Sequence, residues 1–167
     1  YLLGQRAPMT DLMAWNADAT RMPYRMQSEY LRQLFLGNDL FEGRYRVDGR
    51  PLALGDIRVP SFVVATETDH VAPWRSVYKL SLAVDADMTF LLTSGGHNAG
   101  ICSEPGHPGR YFRVSLLPRS ENYIDPERWL HRTAPQAGSW WPAWADWLEQ
   151  GQPKIPAGAI RCADPEL

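Results

Sequence analysis

The chain holds 167 residues, enough for one domain with its own hydrophobic core or for part of a larger one. Its hydrophobic fraction of 44% and charged fraction of 22% are those of an ordinary folded protein and exclude a disordered chain. The net charge is −2 and the 17 basic residues, 15 of them arginine, are scattered singly, so no basic stripe exists to follow a phosphate backbone and nucleic acid is excluded as a partner.

No apolar run approaches the roughly 20 residues of a membrane helix, and nothing resembles a signal peptide, so no membrane span is expected. The sequence opens at Tyr1 instead of a methionine, which predicts a truncated or processed start. Cys102 and Cys162 lie far apart without CxxC spacing. That argues against a zinc site and gives little support to a disulfide framework, and a reducing cytoplasm is the expected location.

Taken in chain order, Thr10 can cap a helix beginning at Asp11, and Met26, Tyr30, Leu31, Leu34 and Phe35 recur at helical spacing. Gly37-Asn38-Asp39 ends that second helix. Across Asp48-Gly49, Tyr45-Arg46-Val47 faces Pro51-Leu52-Ala53-Leu54, a short hairpin signal that is expected to bridge two larger parts. After Pro60 the run Phe62-Val63-Val64-Ala65 predicts a strand buried on both faces, with a polar exit through Asp69. Trp74, Val77, Tyr78, Ser81 and Val84 fit a helix, and Met88 to Thr93 predicts a second buried strand ending at Ser94-Gly95-Gly96-His97. Strand, helix, strand implies a parallel crossover and an α/β fold.

From Gly100 to Pro126 the chain is rich in Gly, Pro and Ser and reads as irregular. A short helix is expected around Glu127, Trp129 and Leu130. Ser139 can then cap a final helix with Trp140, Trp144 and Trp147 on one face, a spacing read as core packing in preference to a stacking platform for a polymer. The organisation predicted is a helical cap over residues 1–44, a core over 45–150 and a tail over 151–167.

Two residues stand where chemistry is expected. In parallel α/β sheets ligands bind beyond the carboxyl ends of the strands, and Asp69 and His97 each follow such an end. A catalytic triad needs a histidine as base and a carboxylate that fixes its tautomer, and in α/β-hydrolases the chain order is nucleophile, acid, histidine. Asp69 and His97 supply the last two in that order. Against this stand plainer readings, a loop-capping Asp and a turn His. His70, His107 and His131 read as solvated neighbours or surface residues. The nucleophile's G-x-[SC]-x-G elbow is absent, since Cys102 lies in Gly100-Ile101-Cys102-Ser103-Glu104.

Four segments together resemble polyhydroxyalkanoate synthases: Trp15-Asn16-Ala17-Asp18-Ala19-Thr20, Asp69-His70-Val71-Ala72-Pro73-Trp74, Ser94-Gly95-Gly96-His97-Asn98-Ala99-Gly100-Ile101 and Gly138-Ser139-Trp140-Trp141-Pro142-Ala143-Trp144. The likeness runs from about Asp11 to Leu148. It implies the C-terminal part of an α/β-hydrolase fold, with parallel strands and flanking helices, preceded by a mobile helical cap over about Thr10 to Leu40. It also implies Asp69 as triad acid, His97 as triad base and a cysteine nucleophile upstream. The implied substrates are a 3-hydroxyacyl-coenzyme A thioester and the growing polyester, with no further cofactor. The chain departs from the pattern at Arg21-Met22-Pro23 and at Asn98, where the family commonly has Asn-Leu before the proline and a branched aliphatic residue. An esterase, depolymerase or thioesterase on the same scaffold is the alternative chemistry. A noncatalytic interaction fragment is the alternative of a different class. The expected protein partner is a second copy or the N-terminal remainder of the protein.

Overall fold

The computed structural model describes residues 9–151, and the predicted tail from 152 onward, with Cys162, lies outside the described residues. The chain divides into two compact units, one running to Ala53 and one starting at Leu54.

In the first unit, helix α1 spans Asp11–Ala17, and the Thr10 hydroxyl accepts the Met13 N–H at 3.2 Å as the predicted cap. Helix α2 covers Tyr24–Glu29 and passes into a π-helix over Tyr30–Leu36. The spacing predicted one regular helix here. Instead the turn widens, and Tyr30 and Phe35, five residues apart, stack edge to face at 5.2 Å. Gly37 closes the segment as expected, its N–H bonding the Arg32 carbonyl at 2.8 Å.

Strands β1 (Tyr45–Val47) and β2 (Arg50–Leu52) form the predicted hairpin. Asp48 and Gly49 both take positive φ, 50° and 75°, the pair that a two-residue turn of this hand requires. That turn sets Val47 opposite Arg50, so pairing ends at Leu52 and does not reach Leu54. The hairpin is grouped with the helices of the first unit.

The second unit is built on a sheet of order β3-β4-β5-β6. Strand β3 (Ser61–Thr66) pairs in parallel with β4 (Met88–Thr93), Ser61 opposite Met88 and Thr66 opposite Thr93. Between them lie α3 (Trp74–Tyr78) and a 3₁₀ turn over Lys79–Leu82. The predicted parallel crossover is therefore present, and the fold is α/β. Burial falls unevenly on the two strands. Met88, Phe90, Leu91, Leu92 and Thr93 are almost wholly buried, whereas most of β3 is half-buried because its sheet neighbour among the described residues is β4 alone.

The stretch read as irregular holds one further strand, and a second follows it nearer the C-terminus. β5 (Tyr111–Leu117) and β6 (Gln136–Ala137) extend the sheet antiparallel. Arg113 and Ser115 hid β5 by interrupting its apolar pattern, and each is engaged by a tertiary contact. The Arg113 guanidinium donates to the Thr133 carbonyl, and the Ser115 hydroxyl accepts the Trp129 indole N–H at 2.7 Å.

Alternation along β4 sends Met88, Phe90 and Leu92 to one face and Leu91 to the other. The first face packs against Trp74 and Tyr78 of α3 and Trp129 of α4 (Pro126–Arg132), which Asp125 caps through the Arg128 N–H. The second packs with Phe62, Val64, Phe112, Trp140 and Ala143 of α5 (Trp141–Gly151). Helices thus cover both faces of the sheet. The tryptophan face is only partly core. Trp140 is buried just ahead of α5 and Trp147 lies 5.4 Å from the Phe62 ring, but Trp144 is 44% exposed.

Candidate active site

Parallel pairing carries β3 and β4 to the same end of the sheet, and it continues past them. The Glu67 N–H bonds the Thr93 carbonyl at 2.9 Å, and the Thr68 N–H bonds the Gly95 carbonyl at 3.1 Å. Two loops therefore leave the sheet side by side, one bearing Asp69 and the other His97.

The Asp69 loop turns back on its own carboxylate. Oδ1 accepts the N–H groups of Val71 and Ala72 at 2.8 and 2.9 Å, an arrangement that fixes the side chain before any partner is considered. Oδ2 accepts the Thr66 hydroxyl at 3.3 Å and faces His97 Nδ1 at 2.8 Å. The Asp69 side chain is 7% exposed and that of His97 46%. The Ala72 N–H, with His97 and the Val71 N–H, holds the Asp69 carboxyl well below the usual carboxylate range against the opposing effect of desolvation. An ionised carboxylate only accepts, so Nδ1 must carry a proton, and in the neutral ring the lone pair lies on Nε2. A carboxylate-oriented imidazole with a basic Nε2 can take a proton from a nucleophile and return it to a leaving group.

The His97 loop is compact because two glycines allow it. Gly95 takes φ 105°, and a Cβ there would lie 2.6 Å from Arg110 Nη1 and 3.0 Å from Gly100 Cα. At Gly100 a Cβ would stand 2.6 Å from Thr66 Cγ2 and 2.9 Å from the Gly96 carbonyl oxygen. The spacing Gly95-Gly96-His97-Asn98-Ala99-Gly100 is thus a steric requirement for folding the loop over Thr66.

Sequence comparison bears on what this pairing belongs to. No family model matches the chain. It is 37% identical over 158 residues, 94% of its length, to the poly(3-hydroxyalkanoate) polymerase subunit PhaC of Rhizobium meliloti. It is 38% identical over 159 residues to the poly(3-hydroxyalkanoate) polymerase of Methylorubrum extorquens, and 36% over 165 to the polymerase subunit PhaC of Cupriavidus necator. Along nearly its whole length the chain is thus similar to poly(3-hydroxyalkanoate) polymerases. It spans about a quarter of the length of these curated relatives.

The remaining candidates stand apart from the pair. His70 and His131 are exposed, and His107 is half-buried and bonded to Glu104 at 3.0 Å. Cys102 is exposed, with its N–H on the Asn98 carbonyl, in a turn unlike a nucleophile elbow. Among the described residues no cluster of His, Cys, Asp and Glu is arranged to hold a metal, and no helix is long and apolar enough to cross a membrane. Sequence reading missed Thr66, whose hydroxyl reaches Asp69, and Tyr111, whose hydroxyl donates to Glu67. Thr66 carried a faint signal as the last strand residue three before the acid. Tyr111 carried none, because β5 itself was not foreseen.

Proposed function

We propose that this chain contributes the acid and the base of an acyltransferase that builds polyester from 3-hydroxyacyl-coenzyme A on an α/β-hydrolase fold, with the nucleophile supplied by a part of the protein outside this sequence. The observation that carries the reading is the 2.8 Å approach of Asp69 Oδ2 to His97 Nδ1 at adjacent parallel strand ends. The similarity to proteins named poly(3-hydroxyalkanoate) polymerase supports the substrate class.

In this mechanism His97 Nε2 takes the thiol proton of a cysteine, and the thiolate attacks the thioester carbonyl of the substrate. Asp69 stabilises the imidazolium that forms and keeps the proton on Nδ1. The tetrahedral intermediate collapses, the coenzyme A sulfur leaves with the proton from His97, and the acyl group stays on the cysteine. The hydroxyl end of the polyester, deprotonated in turn by His97, then attacks the enzyme thioester; the acyl C–S bond breaks, the cysteine takes the proton back from His97, and the polyester is longer by one unit. The helical segment over residues 1–44 serves as the cap in this reading, and coenzyme A enters as part of the substrate.

The test follows coenzyme A release from 3-hydroxybutyryl-coenzyme A, with polymer isolated separately. This chain alone should release none above background, because it lacks the elbow. In the longer protein, His97→Ala and Asp69→Asn should each lower turnover by roughly 10³- to 10⁴-fold. Near-normal turnover in His97→Ala would overturn the assignment, and thioester cleavage without polymer would make the enzyme a thioesterase.

A further inference from the structure

The segment Gly138–Trp144 has no part in the chemistry above, yet its polar contacts converge on the loop that bears His97. The Ser139 hydroxyl donates to the Ser103 carbonyl. The Trp140 indole N–H is shared between the carbonyls of Gly100 at 3.3 Å and Ile101 at 3.2 Å. The Trp141 indole N–H donates to the same Ile101 carbonyl at 3.0 Å. Three successive side chains thus bind carbonyls that lie three to six residues beyond His97. Gly100, one of the residues held, also rests on the methyl of Thr66, whose hydroxyl reaches Asp69.

Core packing accounts for the burial of Trp140, 7% exposed, but not for two indoles pointing their N–H groups at one carbonyl. Nor does it account for Trp141, which is 38% exposed and yet donates there. A loop opens locally unless its backbone is tied down.

We propose that Ser139, Trp140 and Trp141 are positioning residues for His97: a clamp on carbonyls 100–103 that holds the loop so that the imidazole faces the Asp69 carboxylate. The proposal rests on the reading of Asp69 and His97 as acid and base. The clamp acts through the backbone and touches no reacting atom. Its donors replace the water that would otherwise bind these carbonyls in an open loop.

The test uses this chain labelled with ¹⁵N. The indoles of Trp140 and Trp141 are replaced one at a time by benzothiophene, which keeps the bicyclic shape and removes the N–H. Ser139→Ala and Trp141→Phe provide ordinary substitutions at the same donors. Two quantities are read: amide exchange at Ile101 and Cys102, and the imidazole nitrogen shifts of His97, which report the fraction protonated at Nδ1. Each lost donor should speed loop exchange by roughly three- to ten-fold and lower the Nδ1-protonated fraction, while β4 amides keep their protection. Unchanged exchange and an unchanged tautomer in all four variants would overturn the clamp. Asp69→Asn separates this failure from failure of the underlying reading. If Asp69→Asn shifts the tautomer and the clamp variants do not, the dyad stands and the clamp falls. If Asp69→Asn leaves the tautomer unmoved, the dyad falls and the positioning role falls with it.

Discussion

Asp69 receives backbone N–H groups from Val71 and Ala72 on one oxygen, and His97 with Thr66 on the other. These bonds favour the ionised form, so its pKa is depressed on folding, first by the Ala72 N–H. A depressed folded-state pKa stabilises the native chain at pH values above the unfolded carboxyl's, about 3.9, and that contribution is lost as pH falls toward the folded value. Acid unfolding followed by tryptophan fluorescence should therefore lose part of its steepness below about pH 4 in Asp69→Asn, and an identical acid limb would show that the carboxylate is not held in this way. Gly100 offers a second test at this scale. A methyl there meets Thr66 and the loop's own carbonyls, so Gly100→Ala should destabilise the chain by about 1–3 kcal/mol in urea unfolding. A neutral result would mean that the loop does not pack on Thr66 as described.

At the scale of elements, β4 supplies the centre of the sheet and Trp129 the largest fully buried side chain against it. The Trp129 ring meets Phe90 edge to face at 4.9 Å and lies 5.9 Å from Tyr78, while its N–H is taken by Ser115. Trp129→Ala removes the ring and leaves the Ser115 hydroxyl without its donor, so a loss of about 3–5 kcal/mol is expected in equilibrium unfolding. Trp129→Phe should recover much of it by keeping the edge-to-face contact. The helices of the first unit are of another kind. α2 and the π-helix hold no buried residue, and Met26, Tyr30, Leu31, Phe35 and Leu36 are all exposed. Amides of Tyr24–Leu36 should exchange orders of magnitude faster than those of β4. Protection equal to that of β4 would show that something covers this apolar surface. The period-3.6 pattern revealed that these residues are helical but not that the helix widens. A π-turn depends on which side chains meet at its ends, and Tyr30 with Phe35 carries no local mark of that pairing.

For the molecule as a whole, the sheet edge at β3 decides behaviour in solution. β3 has one sheet neighbour among the described residues, and its outer neighbour in an α/β sheet is another strand. This chain on its own should self-associate with rising concentration in sedimentation velocity, and a monomer across the range would mean that the edge is protected.

The residues themselves determined a good deal. β-branched and aromatic runs set β3 and β4, the Asp48-Gly49 pair set the hairpin and its register, Thr10 set a helix start, and the order of acid and histidine after successive strands pointed to one site. All of these rest on local stereochemistry or on a repeat of two or 3.6 residues, which a sequence displays directly. What only the tertiary structure decided depends on partners distant in the chain. β5 is a strand because Ser115 and Arg113 find Trp129 and Thr133, Gly100 must be glycine because Thr66 lies beneath it, and the indoles of Trp140 and Trp141 meet carbonyls some forty residues away. Hydrogen bonds and steric contacts at that separation leave no periodic trace in the sequence, because their geometry exists only after the sheet has brought the two loops and α5 together.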